Sequence, residues 1–186
     1  MIRIFEIFFS FFLLILLLLP IVIIIFLIKF DSSGPIIFWS KRVGKHNLIF
    51  LMPKFRTMKV NTPHKATHLL HNPNLYLTNV GIYLRKFSLD ELPQLYSLIL
   101  GHMSFVGPRP ALYNQYDLIK MRNKKNISKL KPGITGWAQI NGRDSISIER
   151  KVELDYFYLL NKSIFLDIKI IFLTLYKAFK KENIMH

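Results

Sequence analysis

An almost unbroken apolar run from Phe8 to Ile28, interrupted only by Ser10 and Pro20, constrains this chain more than any other feature. As a straight helix it would reach about 30 Å at ~1.5 Å per residue, the thickness of a bilayer's hydrocarbon. A cleaved signal peptide is not expected, because the run exceeds the usual ~7–15 residues and no small-residue cleavage site follows Ile28. Pro20 removes a helical hydrogen bond and clashes with the preceding turn, at about 3 kcal/mol, so a bend is expected there. Two topologies satisfy these residues. One is a kinked helix that spans; the other is a re-entrant helix whose halves, each too short to cross, enter and leave by one face. Lys29, Lys41, Arg42 and Lys45 place the side beyond the run in the cytosol.

Charge narrows the function classes. The 186 residues carry 26 Lys and Arg against 11 Asp and Glu, a net +15, beside a positive mean hydropathy of +0.28. Such a chain suits an anionic membrane surface or a phosphate-bearing substrate. A nucleic-acid partner is not expected, since the arginines sit singly in stiff loops beside acids and are not interleaved with stacking aromatics. A basic binding or scaffold protein of the membrane face is the alternative reading, and it would tolerate loss of those acids. The absence of cysteine excludes disulfides, thiolate catalysis and thiolate metal sites.

The length fits one domain of ordinary size. No repeat or low-complexity linker divides the part beyond Asp31, so the expected organisation is an anchor over residues 1–30, broken at Pro20, and a cytosolic catalytic domain over 31–186. Asp31 to Pro35 reads as a turn, Ile36 to Trp39 as a short strand, and Asn47 to Met58 as extended chain with Lys54 and Arg56 on one face and Phe55 on the other. Asn61 to Asn79 is polar and reads as a loop. Its His64, His68 and His71 lack a carboxylate at ligand spacing and are taken as ordinary loop histidines. Asn114 to Lys131 is charged and helical. Glu149 to Lys181 is helical too, too broken by charge to span, and suits either the membrane interface, with lysines among lipid head groups, or the domain core. The fold class expected is α+β, helix-rich, with short strands.

The chemistry concentrates in Arg85-Lys-Phe-Ser-Leu-Asp-Glu-Leu-Pro-Gln-Leu95. Ser88 and Glu91 have capping-box spacing, whereas Pro93 favours a later helix start with Asp90 as the cap. Either start puts Asp90 at a helix N-terminus, where free N–H groups and the dipole suit a carboxylate or an incoming phosphate. Asp90 and Glu91 would project about a quarter-turn apart, so they divide roles and do not act as a parallel pair. Two further stretches look built for phosphate. Gly107-Pro-Arg-Pro110 presents Arg109 from a stiff loop. Lys131 to Arg143 offers three glycines for close backbone approach, the face of Trp137 and the fork of Arg143.

The runs SLDELPQL (88–95), MSFVGPRP (103–110), PGITGWAQINGR (132–143) and ELDYFYLLN from Glu153, in this order, closely resemble the bacterial sugar transferase family, the monotopic phosphoglycosyltransferases. The resemblance implies transfer of a phosphosugar from a UDP-sugar to a polyprenyl phosphate at the cytosolic face of the bacterial inner membrane. It implies Asp90 as the nucleophile that expels UMP and holds the phosphosugar covalently, Glu91 as its dyad partner, and Mg2+ held at least by Asp90. Lys54, Arg56, Arg85, Arg109 and Arg143 are the candidates to bind donor or acceptor phosphate. The same likeness favours the re-entrant anchor. One departure is Leu19 before Pro20, where small family members often place a serine whose hydroxyl can satisfy backbone groups freed at the bend.

Overall fold

The apolar N-terminus forms two helices, α1 (Ile2–Leu16) and α2 (Leu18–Asp31), bent by 61° at Leu17. The structure, a computed structural model, describes residues 2–62, 72–142 and 145–180. The bend lies a turn upstream of the proline that the sequence marks as its position. Pro20 has no N–H to offer the Leu16 carbonyl and its ring would crowd that group, so the first helix stops there and Pro20 sits in the first turn of the second, where it is tolerated. Ile21 N still donates to Leu17 O at 2.9 Å. With 15 and 14 residues, the halves measure about 22 and 21 Å, and among the described residues no single helix is long and apolar enough to cross a membrane.

The remaining elements are β1 (Ile37–Val43), β2 (Ile49–Phe55), α3 (Asn79–Lys86), α4 (Leu95–Leu100), β3 (Ser104–Val106), α5 (Tyr116–Lys124), β4 (Gly133–Thr135), α6 (Trp137–Ile140), α7 (Ile148–Asn161) and α8 (Ile164–Lys180). The protein is a helix-rich α+β fold with two small sheets among the described residues: a β1–β2 pair, and β3 beside β4 in parallel with Ser104 opposite Gly133 and Val106 opposite Thr135. Glu149 to Lys181, read as one helical stretch, holds two helices among its described residues, which end at Lys180. Ser163 separates them, its hydroxyl accepting from Leu166 N.

Two compact units emerge, and the β1–β2 hairpin contributes residues to each. The described residues of the first are 2–40 and 52–99. Its core joins Ile24 and Ile28 of α2 to Phe55 of β2 and Leu84 of α3. Helix α3 starts because Thr78 accepts from Gly81 N and Asp31, at the end of α2, accepts from Val80 N. Gly81 is needed there, since a Cβ would lie 2.1 Å from Thr57 O.

The second unit comprises 41–51 and 100–180 among the described residues. Val106, Ile140, Tyr158 and Ile170 form one cluster, and Ala111, Leu118, Ile127 and Val152 another. Its two phosphate-like motifs are zipped together: Ser104 N donates to Pro132 O, Gly107 N to Thr135 O and Gly133 N to Pro108 O. Close approach is what the glycines supply, but to each other's backbone. A Cβ on Gly133 would lie 2.1 Å from Gly107 N, and one on Gly136 2.1 Å from Gly107 O.

Candidate active site

Strand β2 delivers the first unit's charge cluster. Lys54, near its end, reaches with Nζ to 2.7 Å from Glu91 Oε1 and 3.6 Å from Asp90 Oδ2. One ammonium thus gathers two acids that backbone geometry alone would splay. All three side chains are largely withdrawn from water, and Asp90 is 6% exposed. At an effective dielectric near 20 the Coulomb attraction of a unit pair at 4 Å is roughly 4 kcal/mol, against which stands the cost of withdrawing the charges from water.

Arg85, in the last turn of α3, completes the cluster. Its Nε donates to Thr57 Oγ1 at 2.9 Å. Burial lowers the guanidinium's hold on its proton, and the Asp90 carboxylate opposes that. Two cations therefore face two acids.

The acids ride on a 3₁₀ turn, Leu89–Gln94, which passes into α4. Neither predicted cap forms. Ser88 adopts a left-handed conformation (φ 54°) with no side-chain capping bond, and Asp90 lies inside the turn. Pro93 disfavours an α-helix starting at Leu89, since its ring would crowd the Leu89 carbonyl, and the chain runs as 3₁₀ up to Gln94. Both acids still occupy the first turn of a helical segment.

The other sequence candidates divide. Arg56, buried just beyond β2, donates to Ser32 O, Ser32 Oγ and Ser33 O, holding the turn that follows α2. Gly34 makes room for it, at φ +116°, where a Cβ would lie 2.3 Å from Arg56 Nη1. Arg109 belongs to the second unit and is half-buried. Arg143, His64, His68 and His71 lie outside the described residues.

Sequence reasoning missed Arg122 and Asp155. Arg122 Nε and Nη2 bind Asp155 Oδ2 at 3.0 and 2.6 Å, and Nη1 donates to Arg109 O at 2.9 Å. The signal was present: Val152, Asp155 and Tyr158 follow at helical spacing, which puts an acid in an apolar stripe. Burial raises the Asp155 carboxyl's hold on its proton, against the pull of Arg122 and Lys151.

Among the described residues no three His, Asp or Glu side chains converge as a metal cage. Asp90 and Glu91 are, however, hard oxygen donors of the kind that hold Mg2+ jointly with substrate phosphates and water.

The bacterial sugar transferase model matches residues 1–181. The chain is 42% identical over 158 residues to the "uncharacterized sugar transferase EpsL" of Bacillus subtilis, covering 85% of this chain and 77% of that one. It is 41% identical over 159 residues to the UDP-glucose:undecaprenyl-phosphate glucose-1-phosphate transferase of Escherichia coli, covering 82% of this chain and 34% of the relative. A UDP-N-acetylgalactosamine-undecaprenyl-phosphate N-acetylgalactosaminephosphotransferase of Aeromonas hydrophila is 37% identical over 156 residues, covering 80% and 36%. The chain thus spans most of the first relative and about a third of the other two. The match over residues 1–181, with the Bacillus subtilis relative beside it, makes this chain a member of the bacterial sugar transferase family.

Proposed function

We propose that this chain transfers a phosphosugar from a UDP-sugar to a polyprenyl phosphate, giving a polyprenyl-diphospho-sugar and UMP. The observation that carries the reading is the buried cluster in which Lys54 holds Asp90 and Glu91 together beside Arg85. An oxygen of Asp90 attacks the phosphorus bearing the sugar, the bond from that phosphorus to the UMP oxygen breaks, and UMP leaves. Polyprenyl phosphate then attacks the same phosphorus, the aspartyl ester breaks, and Asp90 is restored. Lys54 and Arg85 keep the attacking carboxylate oriented, with Glu91 fixed at its side. Arg109 and Arg143 are proposed to bind phosphate groups of donor or acceptor. A magnesium ion, held by Asp90 and the diphosphate, would supply the remaining charge compensation.

Residues 1–30 serve in this reading as a re-entrant anchor in the inner membrane and 31–186 as the cytosolic catalytic part. What supports re-entry is that both ends of the bent pair are tied to the unit that carries the acids. Arg3 donates to Leu98 O and Ile99 O at the end of α4, while Asp31 and the Ser32–Ser33 turn are bound by Val80 N and Arg56. A spanning pair would separate those ends by about 30 Å. Between them Phe8, Phe11, Phe12, Ile15, Leu19 and Phe26 are exposed, an apolar surface suited to lipid. Along α8, Phe165, Ile168, Phe172 and Leu175 make an exposed stripe at helical spacing, which supports an interfacial position for that helix.

The test is incubation with single UDP-sugars and no acceptor. UMP released in proportion to enzyme, with a phosphosugar adduct on Asp90 by intact mass, is the expected result; UDP release, or UMP only when acceptor is present, rejects it. In this cysteine-free chain, Ile2→Cys protected from an impermeant external reagent supports re-entry, and labelling from outside rejects it.

A further inference from the structure

The carbonyls of Pro108, Arg109, Pro110 and Ala111 are consecutive, and each accepts a hydrogen bond from within the second unit, from β4, from α5 and twice from β1. Gly133 N binds Pro108 O at 3.0 Å, Arg122 Nη1 binds Arg109 O at 2.9 Å, Arg42 Nη1 binds Pro110 O at 3.1 Å, and Val43 N binds Ala111 O at 2.9 Å. The two prolines add fixed φ angles. A short loop pinned at every carbonyl is a mount, and Arg109 is the one charged side chain it carries.

We infer that the buried Arg122–Asp155 pair positions Arg109, with Asp155 orienting the Arg122 guanidinium and Arg122 holding the Arg109 carbonyl. Asp155, 1% exposed on α7, takes two N–H groups of the Arg122 fork on one oxygen. Because the guanidinium is planar, fixing Nε and Nη2 also fixes the direction of Nη1, and that direction is the Arg109 carbonyl. An apolar pair of similar volume could fill the space between α5 and α7, often with no loss of stability, but it could not donate to that carbonyl. Lysine at 122 would keep the charge and lose the fork. Arg122 and Asp155 are therefore positioning residues, one and two contacts removed from the side chain they serve.

The inference rests on the reading that Arg109 binds donor or acceptor phosphate, and a double-mutant cycle separates the two. Full-length enzyme in nanodiscs is assayed for UMP release across UDP-sugar and polyprenyl phosphate concentrations, with thermal midpoints alongside. Arg109→Ala is expected to raise KM for one phosphate substrate about tenfold; Arg122→Lys and Asp155→Asn are expected to raise the same KM about fivefold, with kcat changed less. In the Arg109→Ala background the same two substitutions are expected to change that KM less than about twofold, since they act through a side chain already removed. Effects that multiply in that background would show a merely structural pair and overturn the positioning role. An Arg109→Ala enzyme with unchanged KM values would sink the underlying reading, and the positioning role with it. Arg122→Lys keeps the buried charge paired, so it remains decisive if Asp155→Asn fails to fold.

Discussion

The acids of the first unit and the Arg109 loop of the second are held by opposite means. Asp90 and Glu91 sit on an irregular 3₁₀ turn and are drawn together by side chains, Lys54 above all. Arg109 rides on a loop whose backbone is fixed at successive carbonyls. A site held by charge can respond to charge without disturbing the fold. A site held by its backbone presents one geometry whatever binds. The contrast also sorts the basic residues. Arg3, Arg42, Arg56 and Arg122 each grip main-chain carbonyls, whereas Lys54 and Arg85 face the acids. Much of the arginine count is architecture.

The sharpest way to break this contrast is at Asp90. Asp90→Asn keeps the shape and removes the proposed nucleophile, and turnover should fall by at least about 1,000-fold with little change in melting temperature. A residual rate above a tenth of wild type would move the chemistry elsewhere. Next comes Lys54→Gln, which leaves two buried acids without their shared ammonium; a loss of about 100-fold in kcat is expected, measured as UMP release at saturating donor. A KM change alone would make Lys54 a substrate ligand and not the organiser of the pair. Smaller again, Arg56→Met should act on folding. Three hydrogen bonds from a buried guanidinium to the Ser32–Ser33 turn are lost, for about 2 kcal/mol or roughly 6 °C in Tm, while turnover of the folded enzyme stays within about threefold. Unchanged Tm with lost turnover would return Arg56 to the phosphate site.

Those three residues also show what the sequence makes legible. The alternation at Lys54 and the adjacency of Asp90 and Glu91 are local facts of the sequence, but the bridge between them is not; the helix-rich α+β class with its bent N-terminal segment was readable. Arg56 lies at the same alternation as Lys54, yet its partner is a turn over 20 residues earlier in the chain, and no local pattern reports a carbonyl clamp. The glycines from 133 to 136 announced a close backbone approach without saying to what; the neighbour is Gly107. Ser88 and Glu91 had capping-box spacing, but Pro93 two residues further on forbade the α-helix that box would start. For Arg56 and the glycines, distant chain chose the partner; at Ser88 one local preference overrode another.

The smallest effect sharpens the second half of the contrast. If the Arg122–Asp155 pair serves geometry, it need not serve stability, and the pH dependence of folding separates the two. Burial outweighs Arg122 and Lys151 and raises the Asp155 pKa above its ordinary 3.8. A carboxyl that holds its proton more tightly when folded gives a stability contribution that is complete below the unfolded pKa and is lost as pH rises through the folded one. Asp155→Asn cannot titrate, so wild-type Tm minus Asp155→Asn Tm should shrink as pH climbs from about 4 toward neutrality, by a few degrees at most. The opposite slope would mean the ion pair is a net source of stability. The loop carrying Arg109 would then owe its rigidity to a stabilising bridge, and the difference between a charge-held and a backbone-held site would lose its energetic basis.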